Sequence, residues 1–174
     1  VLTVLLKLPT DHSYRIRSLE EQDARDILSW RYPSPYDFYN PPQDDHSEHY
    51  ISQFMEPALA FHAIIDEQAK FVGFCSFGSD GQVPGGDYSE DALDIGLGMR
   101  PELTGQGRGE AFFDAILKHG LATFKPQRVR LTVARFNQRA MALYQKFGFT
   151  YDDEFVDSVL AVSYVVLVRE SALY

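Results

Sequence analysis

The 174-residue chain contains a single cysteine, Cys75, which excludes an intrachain disulfide. Cys75 lies in the apolar run from Phe71 to Phe77, where an inert buried thiol is expected rather than a nucleophile. Apolar runs of about 18 residues are missing, which excludes a membrane-spanning helix. Val1 to Leu8 (VLTVLLKL) is apolar but too short for a span. It also lacks the charged start and small-residue cleavage site of a secretory signal, so a cytoplasmic protein is expected. Basic residues are scarce. Lys and Arg total 16 against 25 Asp and Glu, a net charge of −9. That argues against a nucleic-acid partner, which needs a basic face. It mildly favours cationic ligands, although solubility is the commoner reason for an acidic surface. No internal repeat or low-complexity tract interrupts the chain. The length suits one domain with a substantial core.

Prolines are concentrated rather than spread. Pro33, Pro35, Pro41 and Pro42 fall in Arg31 to Gln43 and prevent regular structure there. Tyr32, Tyr36, Phe38 and Tyr39 are interleaved with them, close after Trp30. A loop this aromatic either packs on the domain as a lid or lines a pocket. Before it, a strand is expected over Tyr14 to Arg17, then a helix to about Trp30. Ser18 is expected to cap that helix, with Glu21 closing the capping box. After the loop, a helix is expected from about Asp45 to Met55, with Tyr50, Ile51 and Phe54 inward. Ala58 to Ile65 and Lys70 to Phe77 read as a hairpin. A glycine-rich surface loop follows from Gly78 to Glu90.

Leu93 to Met99 reads as a strand. It feeds a glycine-spaced loop, Thr104-Gly105-Gln106-Gly107-Arg108-Gly109, which opens directly into a helix. Phe112, Phe113, Ile116, Leu117, Gly120, Leu121 and Phe124 recur on one face of that helix. Free N–H groups at a helix start carry partial positive charge, and glycines let that backbone approach an anion closely. The spacing is neither that of a dinucleotide fingerprint nor that of a P-loop. A tight strand-to-helix turn without a ligand is the competing reading. Downstream, Arg128 to Val133 is a strand, and Asn137 opens a helix carrying Ala140, Met141, Leu143, Tyr144 and Phe147. Gly148 closes it. Phe149 to Phe155 and Val159 to Val168 read as two final strands.

The glycine loop, together with Asn137, Ala140, Leu143, Tyr144, Gly148 and Phe149, resembles the GNAT superfamily of acyl-CoA-dependent N-acetyltransferases over about Tyr14 to Arg169. The two closing glycines of the family's loop motif match at Gly107 and Gly109, while Thr104 replaces the family's Arg or Gln. The resemblance implies an α/β (α+β) fold. It is a single domain over 14–174, with a mixed, mostly antiparallel sheet of about seven strands, a V-shaped splay between the fourth and fifth, and helices on both faces. Residues 1–13 would form an extension or an extra edge strand. Gly96 and Gly98 are expected to permit a bulge at the splay.

The function implied is acetyl transfer from acetyl-CoA to a primary amine by direct attack on the thioester. A non-catalytic acyl-CoA-binding module on the same fold is the alternative. Candidate cofactor contacts are Met99, Thr104, Gly105, Gln106, Gly107, Arg108, Gly109, Glu110 and Asn137. An N–H near Met99 would polarise the thioester carbonyl. Tyr144 is the candidate acid for the leaving thiolate, against a core tyrosine. Asn137 is otherwise a plain N-cap. Asp94 is the candidate proton acceptor, against a solvent-facing strand carboxylate, and Glu90 is a second. Tyr32, Tyr36, Phe38 and Tyr39 would wall the amine site. No metal site is expected. His46 and His49, near Asp44, Asp45 and Glu48, read as a solvated acidic helix start. A homodimer through an edge strand is possible on these grounds.

Overall fold

In the computed structural model, which describes residues 12–171, the chain forms a seven-stranded sheet of order β1-β2-β3-β4-β5-β7-β6. β1 (Arg15–Ser18), β2 (His62–Ile65), β3 (Phe71–Phe77) and β4 (Leu93–Met99) form an antiparallel half. β5 (Arg128–Ala134), β7 (Ser163–Glu170) and β6 (Thr150–Val156) form a second antiparallel half. One parallel pair, β4 with β5, joins them. The extension proposed for residues 1–13 lies almost entirely outside the described residues.

Two helices cover each face. α1 (Glu21–Ser29) and α2 (Ser47–Phe54) pack on one side, where Ala24, Ile27, Trp30 and Ile51 bury against Ala63 and Ile65. α3 (Gly109–Phe124) and α4 (Gln138–Lys146) pack on the other, where Phe112, Phe113, Ile116 and Tyr144 meet Ile64, Ile95, Val129 and Leu131. Ala63, Ile64 and Ile65 alternate between the two cores because successive strand side chains point to opposite faces. Phe112 and Phe113 are almost fully buried, each contributing on the order of 2–3 kcal/mol.

Several local expectations move. Glu20, not Ser18, caps α1, and Asp23 closes the capping box. Asp23 wins because Arg17 also grips it, at 2.6 and 2.9 Å, fixing the carboxylate over the Glu20 N–H. β2 starts at His62 rather than Ala58, because Pro57 opens a short 3-10 turn over Pro57–Leu59. The expected bulge at Gly96 and Gly98 is absent. β3 and β4 stay in register from Gly73↔Met99 to Phe77↔Ile95. A side chain at Gly98 would strike the Phe74 ring, and one at Gly96 would strike Ser76 and Asp80. These glycines make room for neighbours and bend nothing.

Candidate active site

The sheet splits where β4 and β5 part. The two strands pair only at Leu93↔Val129 and Asp94↔Arg130. The Arg100 N–H reaches the Val72 carbonyl at 2.8 Å, and the Gly78 N–H reaches the Asp94 carbonyl at 2.9 Å. In an antiparallel ladder these bonds flank non-hydrogen-bonded pairs. The N–H and C=O groups of Leu97 and Met99 therefore point away from β3 and into the split. The Arg135 N–H bond to the Ser163 carbonyl, at 2.8 Å, places Thr132 and Ala134 in the same way on β5. Two strand edges thus face each other across a gap; the Met99 carbonyl is taken by the Tyr32 hydroxyl and the Ala134 carbonyl by the Asn137 N–H, and the Leu97 and Met99 N–H groups point into the gap.

A cleft of about 1000 Å³ occupies that gap. Ile95, Gly96, Leu97, Gly98 and Met99 line one side, and Leu131, Thr132, Val133 and Ala134 the other. One end runs to the glycine loop and the start of α3. Gly105 and Gly107 adopt left-handed backbone there, at φ 72° and 75°, which favours glycine. No side chain caps α3, whereas α1 has its capping box and the Asn137 side chain caps α4 by accepting from the Ala140 N–H at 3.1 Å. The α3 start thus keeps free donors and its positive dipole end.

The structure brings most of the expected residues together. Met99, Thr104, Gly105, Gly107, Arg108, Gly109, Glu110, Asn137 and Tyr144 line this one cleft, as do Tyr32, Tyr36, Phe38 and Tyr39. Gln106 is not among the lining residues, and its side chain bends back to the Glu102 carbonyl at 2.6 Å. Thr104 Oγ1 donates to the Pro101 carbonyl at 2.9 Å, so it braces the turn. Tyr144 packs on Phe113 with ring centroids 4.9 Å apart. Burial pushes its phenol well above the ordinary value of 10, so it stays protonated.

The aromatic loop is both lid and wall. Its Tyr36–Tyr39 segment forms a short 3-10 turn. Tyr36, Phe38 and Tyr39 gather around Phe136, at centroid distances of 6.2, 5.8 and 5.8 Å. The Tyr39 hydroxyl accepts from Asn137 Nδ2 at 3.2 Å, and Arg139 stacks on Tyr36 at 4.5 Å. Tyr32 reaches deeper, its hydroxyl donating to the Met99 carbonyl at 2.7 Å. Phe136 and Arg139 gave no signal in the sequence. They are ordinary residues until the loop folds back onto them.

Asp94 is corrected by the structure. Its carboxylate is only 3% exposed and accepts two bonds from Arg130, at 2.6 and 2.8 Å, and one from Gln82 at 2.8 Å. It does not line the cleft. A carboxylate so engaged has both oxygens occupied and is closed to an incoming amine. Glu90 contributes its carbonyl to Arg130, at 3.0 Å. Asp44 bonds to the His46 N–H and the Tyr50 hydroxyl, and no metal-binding group of three ligands occurs among the described residues.

A mixed sheet split at one parallel pair, with an uncapped glycine loop at the mouth of the split, defines an acetyltransferase of the GNAT type. Residues 14–150 match the acetyltransferase (GNAT) domain, and the chain belongs to that family of N-acetyltransferases. Acetyltransferase PseH of Campylobacter jejuni is 22% identical over 139 residues, 78% of this chain and 82% of that protein. A chimera of spermidine N-acetyltransferase SpeG from Vibrio cholerae and hSSAT superposes with a TM-score of 0.72 at 18% identity, over 91% of this chain and 95% of that one. A GNAT-family acetyltransferase from Bacillus anthracis superposes with a TM-score of 0.69 at 16% identity, over 90% and 94%.

Proposed function

We propose that this enzyme transfers the acetyl group of acetyl-CoA to a primary amine by direct attack on the thioester. The observation that carries the reading is the open edge of β4, whose peptide groups lead from the split to the free α3 start. Pantetheine carries amides on an extended chain and can add to such an edge as a short strand. Its pyrophosphate would rest on the N–H groups from Gly107 to Glu110, with Arg108 and Arg139 supplying charge beside the loop. The Leu97 and Met99 N–H groups are the available donors for the thioester oxygen as it gains charge.

The amine nitrogen attacks the carbonyl carbon and forms the C–N bond. Collapse of the tetrahedral intermediate breaks the C–S bond. Tyr144, a neutral phenol, donates its proton to the departing thiolate. The test is calorimetric titration of acetyl-CoA and CoA, followed by thiol release from acetyl-CoA across an amine panel. Micromolar binding and amine-dependent release are expected. Binding without release to any amine would leave an acyl-CoA-binding module instead.

A further inference from the structure

The cleft has two electrostatically different halves. Its lining cations, Arg108, Arg139 and Lys146, all belong to the glycine loop or to α4. Of the two carboxylates that line it, Glu110 pairs with Lys146 at that same end. The other is Asp80, on the short turn Ser79–Gly81 that follows β3.

Asp80 sits over β4 on the face that also carries Phe74. A side chain at Gly96 would meet both the Ser76 hydroxyl and the Asp80 carboxylate, and one at Gly98 would meet Phe74. Ser76 is fully buried, and its hydroxyl donates to Asp80 Oδ2 at 2.7 Å. That bond fixes the carboxylate. Among the described residues, Oδ1 accepts no hydrogen bond from the protein. Asp80 is exposed at the cleft, and among the described residues no cation pairs with it. Desolvation within the cleft, partly offset by the Ser76 hydrogen bond, pushes the carboxyl above the usual range, which suits a group that must take and release a proton. Two residues along β4, Phe74 covers Gly98; Trp30, Phe54 and Phe61 pack on Phe74 and, with Tyr32, line the same cleft as a wall of rings.

We propose, building on the acetyl-transfer reading above, that Asp80 receives the acceptor's ammonium group and that the acceptor is a primary monoamine with an apolar, ring-bearing body. One carboxylate compensates one positive charge. The rings hold an apolar body by burial and by edge-to-face contact. A polyamine would place a second ammonium against this wall with no second carboxylate to meet it, and an unpaired buried charge is strongly disfavoured. Asp80 accepts one proton from the ammonium, leaving the neutral amine that attacks the thioester. It passes that proton to solvent through the open cleft. The second N–H proton passes to solvent as the intermediate collapses, the thiolate gains one from Tyr144, and the phenolate recovers a proton from solvent. Amide and thiol form with one net proton released.

The test compares 2-phenylethylamine with spermidine in the acetyl-CoA thiol-release assay. It uses the wild-type chain, Asp80→Asn and Asp80→Glu, with acetyl-CoA titrated into each. Wild type is expected to favour 2-phenylethylamine by about tenfold or more in kcat/KM. Asp80→Asn is expected to lose about a hundredfold. Asp80→Glu should recover part of that loss, and acetyl-CoA affinity should hold in both variants. A wild-type preference for spermidine overturns the proposal whatever the variants do, and so does an undiminished rate in Asp80→Asn. Transfer to spermidine alone would sink this inference while acetyl transfer stands. Failure of the wild type to bind acetyl-CoA would sink the acetyl-transfer reading itself.

Discussion

Arg130 clasps Asp94 across the last residue pair that joins β4 to β5. Its Nε and Nη2 donate to the two carboxylate oxygens at 2.6 and 2.8 Å, and the two residues are register partners. Beyond this clasp the strands diverge. Arg130 also stacks on Tyr88 at 4.8 Å and donates to the Glu90 carbonyl, so the vertex of the split is pinned from several directions. The pair anchors the geometry of the cleft and leaves its chemistry to other residues.

Breaking the clasp should therefore cost stability first. Asp94→Asn leaves a buried guanidinium uncompensated, and a loss of about 3–5 kcal/mol is expected in urea denaturation. A double replacement, Asp94→Leu with Arg130→Met, should recover most of it. A catalytic base would behave in the opposite way, with stability kept and transfer abolished by Asp94→Asn.

Tyr144→Phe removes one hydroxyl and keeps the ring against Phe113 and Phe149. Single-turnover acetyl transfer should slow by about 10²–10⁴-fold with acetyl-CoA affinity nearly unchanged. A wild-type chemical rate in this variant would remove Tyr144 from the mechanism.

Gly107 holds left-handed backbone at φ 75° with no protein atom within 4 Å of where a Cβ would stand. Gly107→Val meets open space inside the protein but strains the loop by roughly 1–2 kcal/mol and blocks a close-lying anion. Calorimetry should show CoA affinity reduced at least about tenfold. Unchanged affinity would move the pyrophosphate elsewhere.

The lid gives a separable signature. Alanine at Tyr36 or Tyr39 removes contacts to Phe136, Arg139 and Asn137. Acceptor KM should rise several-fold, because these rings form part of the cleft wall. A change in melting temperature with acceptor KM untouched would make the loop a cover only.

His119 supplies a pH test away from the cleft. Its ring lies 4.9 Å from that of His62, and its Nε2 is buried without a hydrogen-bond partner. Burial, then the neighbouring His62, lowers its pKa below the ordinary 6.5. The unfolded chain then binds the proton more readily than the folded one, so stability rises with pH in this window. The contribution is fully present above pH 6.5 and is lost as pH falls through that value toward the folded pKa. Urea midpoints at pH 7.5 and 5.5 should differ less in His119→Gln than in the wild type.

The sequence by itself determined the strand from Leu93 to Met99, the glycine loop, α3, and the Asn137 to Phe149 segment. Each is encoded locally. Glycine spacing fixes a backbone conformation, apolar period fixes a helix face, and Asn137 caps the helix that follows it. The family and the fold were legible because those local signals come in a fixed order. Tertiary structure decided the identity and roles of the acidic groups. Asp94 reads as a strand carboxylate until Arg130, 36 residues away in sequence, arrives to neutralise it. Asp80 reads as an ordinary loop residue between Ser79 and Gly81 until β3 and β4 stack it over Gly96. A carboxylate's chemistry depends on the charges, donors and open space around it, and these come from strands that only the folded sheet brings together.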